Sequence, residues 1–139
     1  MIVKLSHKNP RYPDLTPQQN YVVIGIEADD LRILNDQGRP YLYPARLFEV
    51  VDPKEPKDWV TEYGEANERY AYPQPWNDTG FFEDFFDEKK KAVATFWQVI
   101  NQRLAMATGV TQPSHKKPLT KTRFTTQVRA AQQVAAWAK

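Results

Sequence analysis

The side chains that carry most enzyme chemistry are scarce in this chain. There is no cysteine, so there is no thiolate nucleophile or ligand and no disulfide framework. The two histidines, His7 and His115, lie beside lysines in segments read as terminus or loop. Zinc sites need three or four His, Cys or acidic ligands at defined spacing, and neither histidine has such company, so both read as surface residues. The two serines, Ser6 and Ser114, sit in no Gly-x-Ser-x-Gly elbow. No two of the five glycines lie closer than thirteen residues, which excludes phosphate-loop and dinucleotide fingerprints. What remains is carboxylate: Asp29-Asp30, Asp36, Glu49 with Asp52, and Glu83-Asp84 with Asp87-Glu88. Paired acids can hold a divalent cation or move protons. Asp29 to Asp36 lacks the alternating ligand spacing of a calcium loop, and acids are expected at turns and helix starts for reasons of solvation and dipole. The expectation is therefore no catalytic set, no metal and no cofactor, that is, not an enzyme.

The acids matter more as a surface. Sixteen Asp and Glu against six Lys and Arg fall between Glu27 and Glu88, a balance of −10; residues 89–139 hold ten Lys and Arg and no acid. An overall charge of +2 thus conceals an acidic body and a basic C-terminal third. Two readings follow: the basic helices neutralise the acidic sheet within one fold, or each surface meets its own partner. Aromatic rings interleave the acidic span, and Tyr and Trp are common interface anchors. The candidate partner-binding residues are the turn acids Asp29, Asp30, Asp36, Glu49 and Asp52, together with Tyr41, Tyr43, Tyr70, Tyr72 and Trp76. Of the nine rings Tyr41, Tyr43, Trp59, Tyr63, Tyr70, Tyr72, Trp76, Phe81 and Phe82, about half are expected in the core, because aromatics dominate core energetics as well.

The elements that position these residues are short. Met1–Leu5 alternates weakly as a strand, and three prolines between Pro10 and Pro17 keep the next segment extended. Tyr21–Ala28, rich in β-branched and aromatic residues, is the strongest strand signal, with Gly25 marking a bulge or a close backbone approach. Leu31–Leu34 follows after a turn at Asp29-Asp30. Asn35-Asp36-Gln37-Gly38 makes a hairpin, and Arg39–Tyr43 returns, with Pro40 implying an edge or a strand start. Pro44-Ala45-Arg46 suits a 3₁₀ turn, Leu47–Val51 a fourth strand and Trp59–Tyr63 a fifth; residues 65–80 are loop-like, with Glu65–Tyr72 open to a strand or a short helix and Trp76 expected to plug the loop onto the core. The rings of Phe81, Phe82, Phe85 and Phe86 share one helical face. Asp87 is expected to cap a long helix, Glu88–Ala107, stopped by Gly109, with a core stripe of Ala92, Val93, Phe96, Trp97, Val99, Ile100, Leu104 and Ala107. Residues 111–139 read as a proline-containing basic linker and a last helix, Thr122–Ala138.

The run from Tyr21 to Asp52, with its Leu42-Tyr43-Pro44-Ala45-Arg46-Leu47-Phe48 segment feeding the next strand, resembles bacterial variant SH3-like modules. The resemblance spans residues 21–63, under half the chain. It implies an α+β fold: a small SH3-like antiparallel β-barrel over about 1–63, then a long helix at about 81–108, within one domain, 1–110. SH3 domains use an aromatic groove for proline-rich peptides; Tyr41, Tyr43 and Pro44 are placed for such a groove, but the usual groove tryptophan and acidic loop have no matching positions. At the level of class, the size, the missing catalytic apparatus and the acidic aromatic surface are similar to bacterial toxin-immunity proteins. That likeness implies a protein partner with a basic surface, occluded by the acidic turns. The alternative is a nucleic-acid- or ribosome-associated adaptor whose arm is the basic segment with Lys116, Lys117, Lys121, Arg123 and Arg129. The N-terminus shows no apolar run or small-residue cleavage site, and no apolar stretch approaches a membrane span, so a cytoplasmic protein without membrane contact is expected.

Overall fold

The computed structural model describes residues 1–107. The linker, the Gly109 stop and the last helix expected above lie outside the described residues. The described chain is α+β. Seven antiparallel strands run as β1 (Ile2–Leu5), β2 (Asn20–Glu27), β3 (Asp30–Leu34), β4 (Pro40–Pro44), β5 (Phe48–Asp52), β6 (Trp59–Tyr63) and β7 (Arg69–Pro73); two helices follow, α1 (Phe81–Phe86) and α2 (Lys90–Ala107). Single 3₁₀ turns at Ala45–Leu47 and Gln74–Trp76 link β4 to β5 and β7 to α1.

The longest strand, β2, organises the sheet. One of its edges carries β3 along Val23–Glu27; the other carries β1 opposite Asn20–Val22 and then β7 opposite Ile26 and Glu27. The register jumps between Val23 and Gly25, so Ile24 is an extra, bulged residue. Side chains alternate faces along a strand, and one extra residue restores the phase that a three-residue step would otherwise invert. Val23 and Ile26 thereby both enter one core, while Ile24 turns to the opposite face. Gly25 has a steric reason to lack a side chain, since a Cβ there would lie 2.0 Å from the Tyr72 ring.

The hairpin from β3 to β4 forms where the sequence places it. Asn35 is the residue that ties it: its Oδ1 accepts from the backbone N–H of Gln37 (2.9 Å) and Arg39 (3.0 Å), and Gly38 takes φ 73°. Pro40 begins β4, whose outer edge has no strand partner among the described residues. The expected closed barrel does not form. The ladder runs β4-β3-β2-β1-β5 and stops at both ends, leaving an open sheet. Nor is Trp59–Tyr63 a fifth barrel strand: among the described residues β6 pairs only with β7, across the register Val60↔Tyr72 and Glu62↔Tyr70. Of the strand and the short helix left open within the loop-like segment, the strand forms, as β7 (Arg69–Pro73), and a 3₁₀ turn follows it.

Around β2 and β3 the sheet is covered on both faces, while most of β5 and β6 stays exposed. One core gathers Val3, Leu5, Tyr21, Val23, Leu31, Ile33 and Tyr43 with Leu15 from the proline-rich segment. The other lies under the helices and joins Ile24, Tyr72 and Trp76 to Phe81, Phe85, Phe96, Trp97 and Ile100. The stripe expected on α2 is the face that docks: Ala92, Phe96, Trp97, Val99 and Ile100 are buried, with Val93 and Leu104 packed at its margin. Phe96 is 0 % exposed, and a side chain of that size contributes about 1.5–3 kcal/mol on full burial. The helical segment is not continuous. Asp87 is the C-cap of α1 rather than the N-cap of α2, and Glu88 takes φ 59°, a left-handed turn that ends the first helix. This break swings α1 across the sheet, where Phe86 stacks on Tyr41 at 5.3 Å.

Candidate functional site

A cleft of about 390 Å³ lies beside the β6–β7 hairpin. Its floor comes from β2, β3 and β7, which supply Glu27, Arg32 and Tyr72; its walls come from Trp76 and from Phe81, Phe82 and Glu83 of α1. Alternation along β3 explains the floor. Leu31 and Ile33 fill the first core, so Arg32 must face the other way, and there the helices cover it to 5 % exposure. A buried guanidinium is tolerable only when its donors are met. Arg32 Nε donates to the Tyr72 hydroxyl at 2.7 Å, Nη1 to the Pro40 carbonyl at 2.8 Å, and Nη2 to Glu27 Oε2 at 2.5 Å. The same Glu27 oxygen accepts from the Tyr72 hydroxyl at 2.5 Å. The guanidinium lies 3.8 Å from the Phe82 ring centroid, a cation–π contact. Burial first, together with the bond to Glu27, pushes the Tyr72 phenol well above its ordinary range, so it keeps its proton and acts as a donor.

The rim is acidic. Glu62, Asp78 and Glu83 line it and are exposed, and none of the three has an ion-pair partner among the described residues. Glu62 accepts only the neutral Asn77 amide, at 3.1 Å. Tyr70, half-buried, closes one side, and burial followed by the neighbouring Glu68 raises its hydroxyl pKa. Trp76 is 1 % exposed and its indole N–H finds no acceptor among the described residues. With Glu27 already spent on Arg32, the open part of the cleft carries three uncompensated negative charges against aromatic walls.

The residues singled out from sequence fall in four places. Asp29, Glu49 and Asp52 are exposed at turns and on β5, and Asp30 is half-buried at the start of β3. Glu49 faces Lys4 at 3.7 Å and Asp52 accepts from the Lys54 N–H, so neither joins the cleft. Asp36 is a structural residue: it accepts from Thr16 Oγ1 and from the Tyr21 hydroxyl, both at 2.6 Å, and fastens the proline-rich segment to the hairpin. Tyr43 is buried in the first core and donates to Asp14 at 2.6 Å; it presents no ring to a partner. Tyr41 remains 40 % exposed beside Phe86. Tyr70, Tyr72 and Trp76 alone come together, and they do so at the cleft, with Tyr72 and Trp76 as buried walls rather than exposed anchors. Of the nine rings weighed between core and surface, Tyr43, Tyr72, Trp76 and Phe81 are buried.

Sequence reasoning missed Arg32 and the pairing of Glu62, Asp78 and Glu83 around it. An arginine flanked by apolar residues in a short strand, with Glu27 at the far end of the hairpin, is the one local signal that pointed there. No group of three or more His, Cys, Asp or Glu able to hold a metal ion occurs among the described residues. No helix among them is long and apolar enough to cross a membrane. No protein-family model, no curated protein and no solved structure matches the chain.

Proposed function

We propose that this protein is a non-enzymatic binding module for a protein partner with a basic surface, of the immunity or antitoxin type, which works by occluding the partner's basic active-site cleft. The observation that carries this reading is the acidic, aromatic-walled cleft whose carboxylates Asp78 and Glu83 have no cationic partner among the described residues. The charge partition supports it: residues 1–107 hold all seventeen acids against thirteen Lys and Arg. Such a surface draws a basic partner at long range and rejects acidic ones. The strand connectivity also supports the SH3-like resemblance, for β2–β3–β4 is a meander followed by a 3₁₀ turn and a fifth strand that returns to β1. In this reading the β6–β7 hairpin and the helices are additions to that meander, and they move the binding surface from its turns to the cleft.

The test is capture of a partner by the full-length chain, co-expressed with the products of its neighbouring genes and purified at low and at moderate salt. Co-purification of a basic protein whose activity is thereby suppressed is the expected result. A chain that retrieves no protein partner under either condition overturns the reading. A second reading, nucleic-acid binding through residues 108–139, is favoured by one observation: that segment holds six Lys and Arg and no acid. A mobility-shift titration separates the two, because phosphate binding weakens steeply as salt rises.

A further inference from the structure

We infer that the open face beside β5, built by Ile2, Val22 and Val51, is the docking site of the chain's own basic C-terminal segment, residues 122–138. The inference is separate from the partner reading, because it concerns another surface and leaves the cleft open. Tyr21 and Val23 enter the first core, so alternation turns Val22 to the helix side of the sheet. There the helical core takes in Ile24 but leaves Val22 59 % exposed. Ile2 is the ladder partner of Val22 and shares its face. On the other side of Ile2 the register with β5 slips, so Val51 stands unpaired beside it, about half exposed. β5 is a sheet edge without an outer strand partner among the described residues. Its run Phe48–Asp52 has neither the proline nor the lysine that blunts such edges, and the remaining way to protect an apolar edge is to cover it.

Charge, position and pattern select what covers it. β5 carries Glu49 and Asp52 and no cation, and the Glu49 side chain stays 63 % exposed even with Lys4 at 3.7 Å. A second copy pairing edge to edge about Val50 and Val51 would set Glu49 against Asp52, like charge against like. Residues 108–139 hold six Lys and Arg and no acid, so they suit these carboxylates. The described chain also ends here. Arg103, in the last turns of α2, bonds both oxygens of Asp58 in the connection that follows β5. Burial first lowers the Met1 amino pKa; Asp52 and Glu55 oppose this and Arg103 adds to it, which places all three acidic and basic groups around the residue before Ile2. Fourteen residues, 108–121, separate α2 from the segment and span up to about 50 Å when extended, so reach sets no limit on a domain whose radius of gyration is about 13 Å. Over 122–138, Phe124, Val128, Ala131 and Ala135 follow helical spacing and predict one apolar stripe. Its alanines allow the close approach that a nearly flat face of valine and isoleucine requires.

The chain has no cysteine, so Gln133→Cys in the full-length, isotope-labelled protein carries a single nitroxide, on the side of the expected helix opposite that stripe. The expected result is loss of the Ile2, Val22 and Val51 amide signals, restored when the nitroxide is reduced, with Asp78 and Glu83 at the cleft unaffected. Val22→Thr with Val51→Thr keeps a β-branched shape at exposed positions and should lower the ratio of docked to free segment about tenfold. Glu49→Gln with Asp52→Asn should lower it about threefold. Signal loss centred on Asp78 and Glu83, or on no residue of 1–107, overturns the inference, as does a threonine pair that docks as well as the natural chain. Signal loss in a mixture of nitroxide-bearing unlabelled chain and nitroxide-free labelled chain would assign the face to a second copy and also overturn it. Partner capture is read separately, so failure of this inference and failure of the partner reading are distinguishable.

Discussion

The two faces of the sheet are sealed in different ways. On one, aliphatic side chains from β1, β2 and β3 meet the proline-rich segment, and the rim is closed by phenol–carboxylate bonds, Tyr21 to Asp36 and Tyr43 to Asp14. On the other, aromatic rings from the Gln74–Trp76 turn, α1 and α2 meet Ile24 and Tyr72, and the same kind of bond, Tyr72 to Glu27, carries a guanidinium beside it and borders an open cleft. One chemical pairing therefore serves two ends. Where loop and hairpin cover it, it locks the fold; where α1 leaves a gap, it forms the floor of an open cleft. The difference lies in what covers the pair, not in the pair itself.

Breaking the aromatic side should have the largest effect. Phe96→Ala removes a fully buried ring that stacks with Trp76 at 4.8 Å and packs on Phe85 at 4.7 Å. A loss of about 3–5 kcal/mol is expected in denaturant unfolding, enough to undock α2 in a marginally stable domain. Gly25→Val comes next. The Cβ it introduces would meet the Tyr72 ring at 2.0 Å, so either the ring or the bulge must move; the expected cost is about 1–3 kcal/mol with loss of the Tyr72–Glu27 bond, seen by unfolding and by the tyrosine signal.

The paired phenols allow the two faces to be compared directly. Tyr72→Phe removes the acceptor of buried Arg32 Nε, and an unmet charged donor is expensive, about 1–3 kcal/mol. Tyr43→Phe should cost less, about 1 kcal/mol, because Asp14 keeps its bond from Asn35 Nδ2. Equal costs would mean that the guanidinium contributes nothing special. Tyr21, Tyr43 and Tyr72 all have hydroxyls raised above their ordinary range by burial and by bonds to carboxylates. Above pH of about 10 the unfolded chain releases these protons and the folded chain keeps them, so stability is complete below that pH and falls as pH rises through it. Spectrophotometric titration should accordingly show three of the seven tyrosines silent until the chain unfolds; free titration of all seven in the folded protein would contradict this. The smallest effect is expected at Arg103, which bonds both oxygens of exposed Asp58 at 2.8 and 2.9 Å. Arg103→Gln should shift stability by about 1 kcal/mol or less and should respond to salt.

Much of the first face was legible in the chain. The β-branched run of Tyr21–Glu27, the Asn35–Gly38 turn and Pro40 at an edge each carry their structure locally, through alternation, side-chain–backbone bonding and a fixed φ. The second face was legible only in part. The α2 stripe has helical spacing, so it could be read; Arg69–Pro73 stayed open between strand and short helix, because Tyr70 and Tyr72 ahead of Pro73 suit both until the ladder with Glu27 and Trp59–Tyr63 forms. Asp87 looked like an N-cap for the same reason: a helix end and a helix start share the residue type, and only the left-handed Glu88 decides.

The amino-acid sequence by itself determined the thiol-free chemistry, the split between an acidic body and a basic C-terminal segment, the meander from β2 to β4 and the docking stripe of α2, because each of these resides in composition or in spacings of a few residues. The tertiary structure alone decided that the sheet stays open, that β6 pairs with β7 instead of closing a barrel, that Tyr72 and Trp76 are walls rather than exposed anchors, and that Arg32 is buried. Those outcomes depend on contacts between residues 40 and 45 positions apart, Arg32 with Tyr72 and Tyr72 with Glu27. Pairings at such separation are set by how the two cores compete to cover the faces of one sheet, and local periodicity does not specify which side chain will meet which.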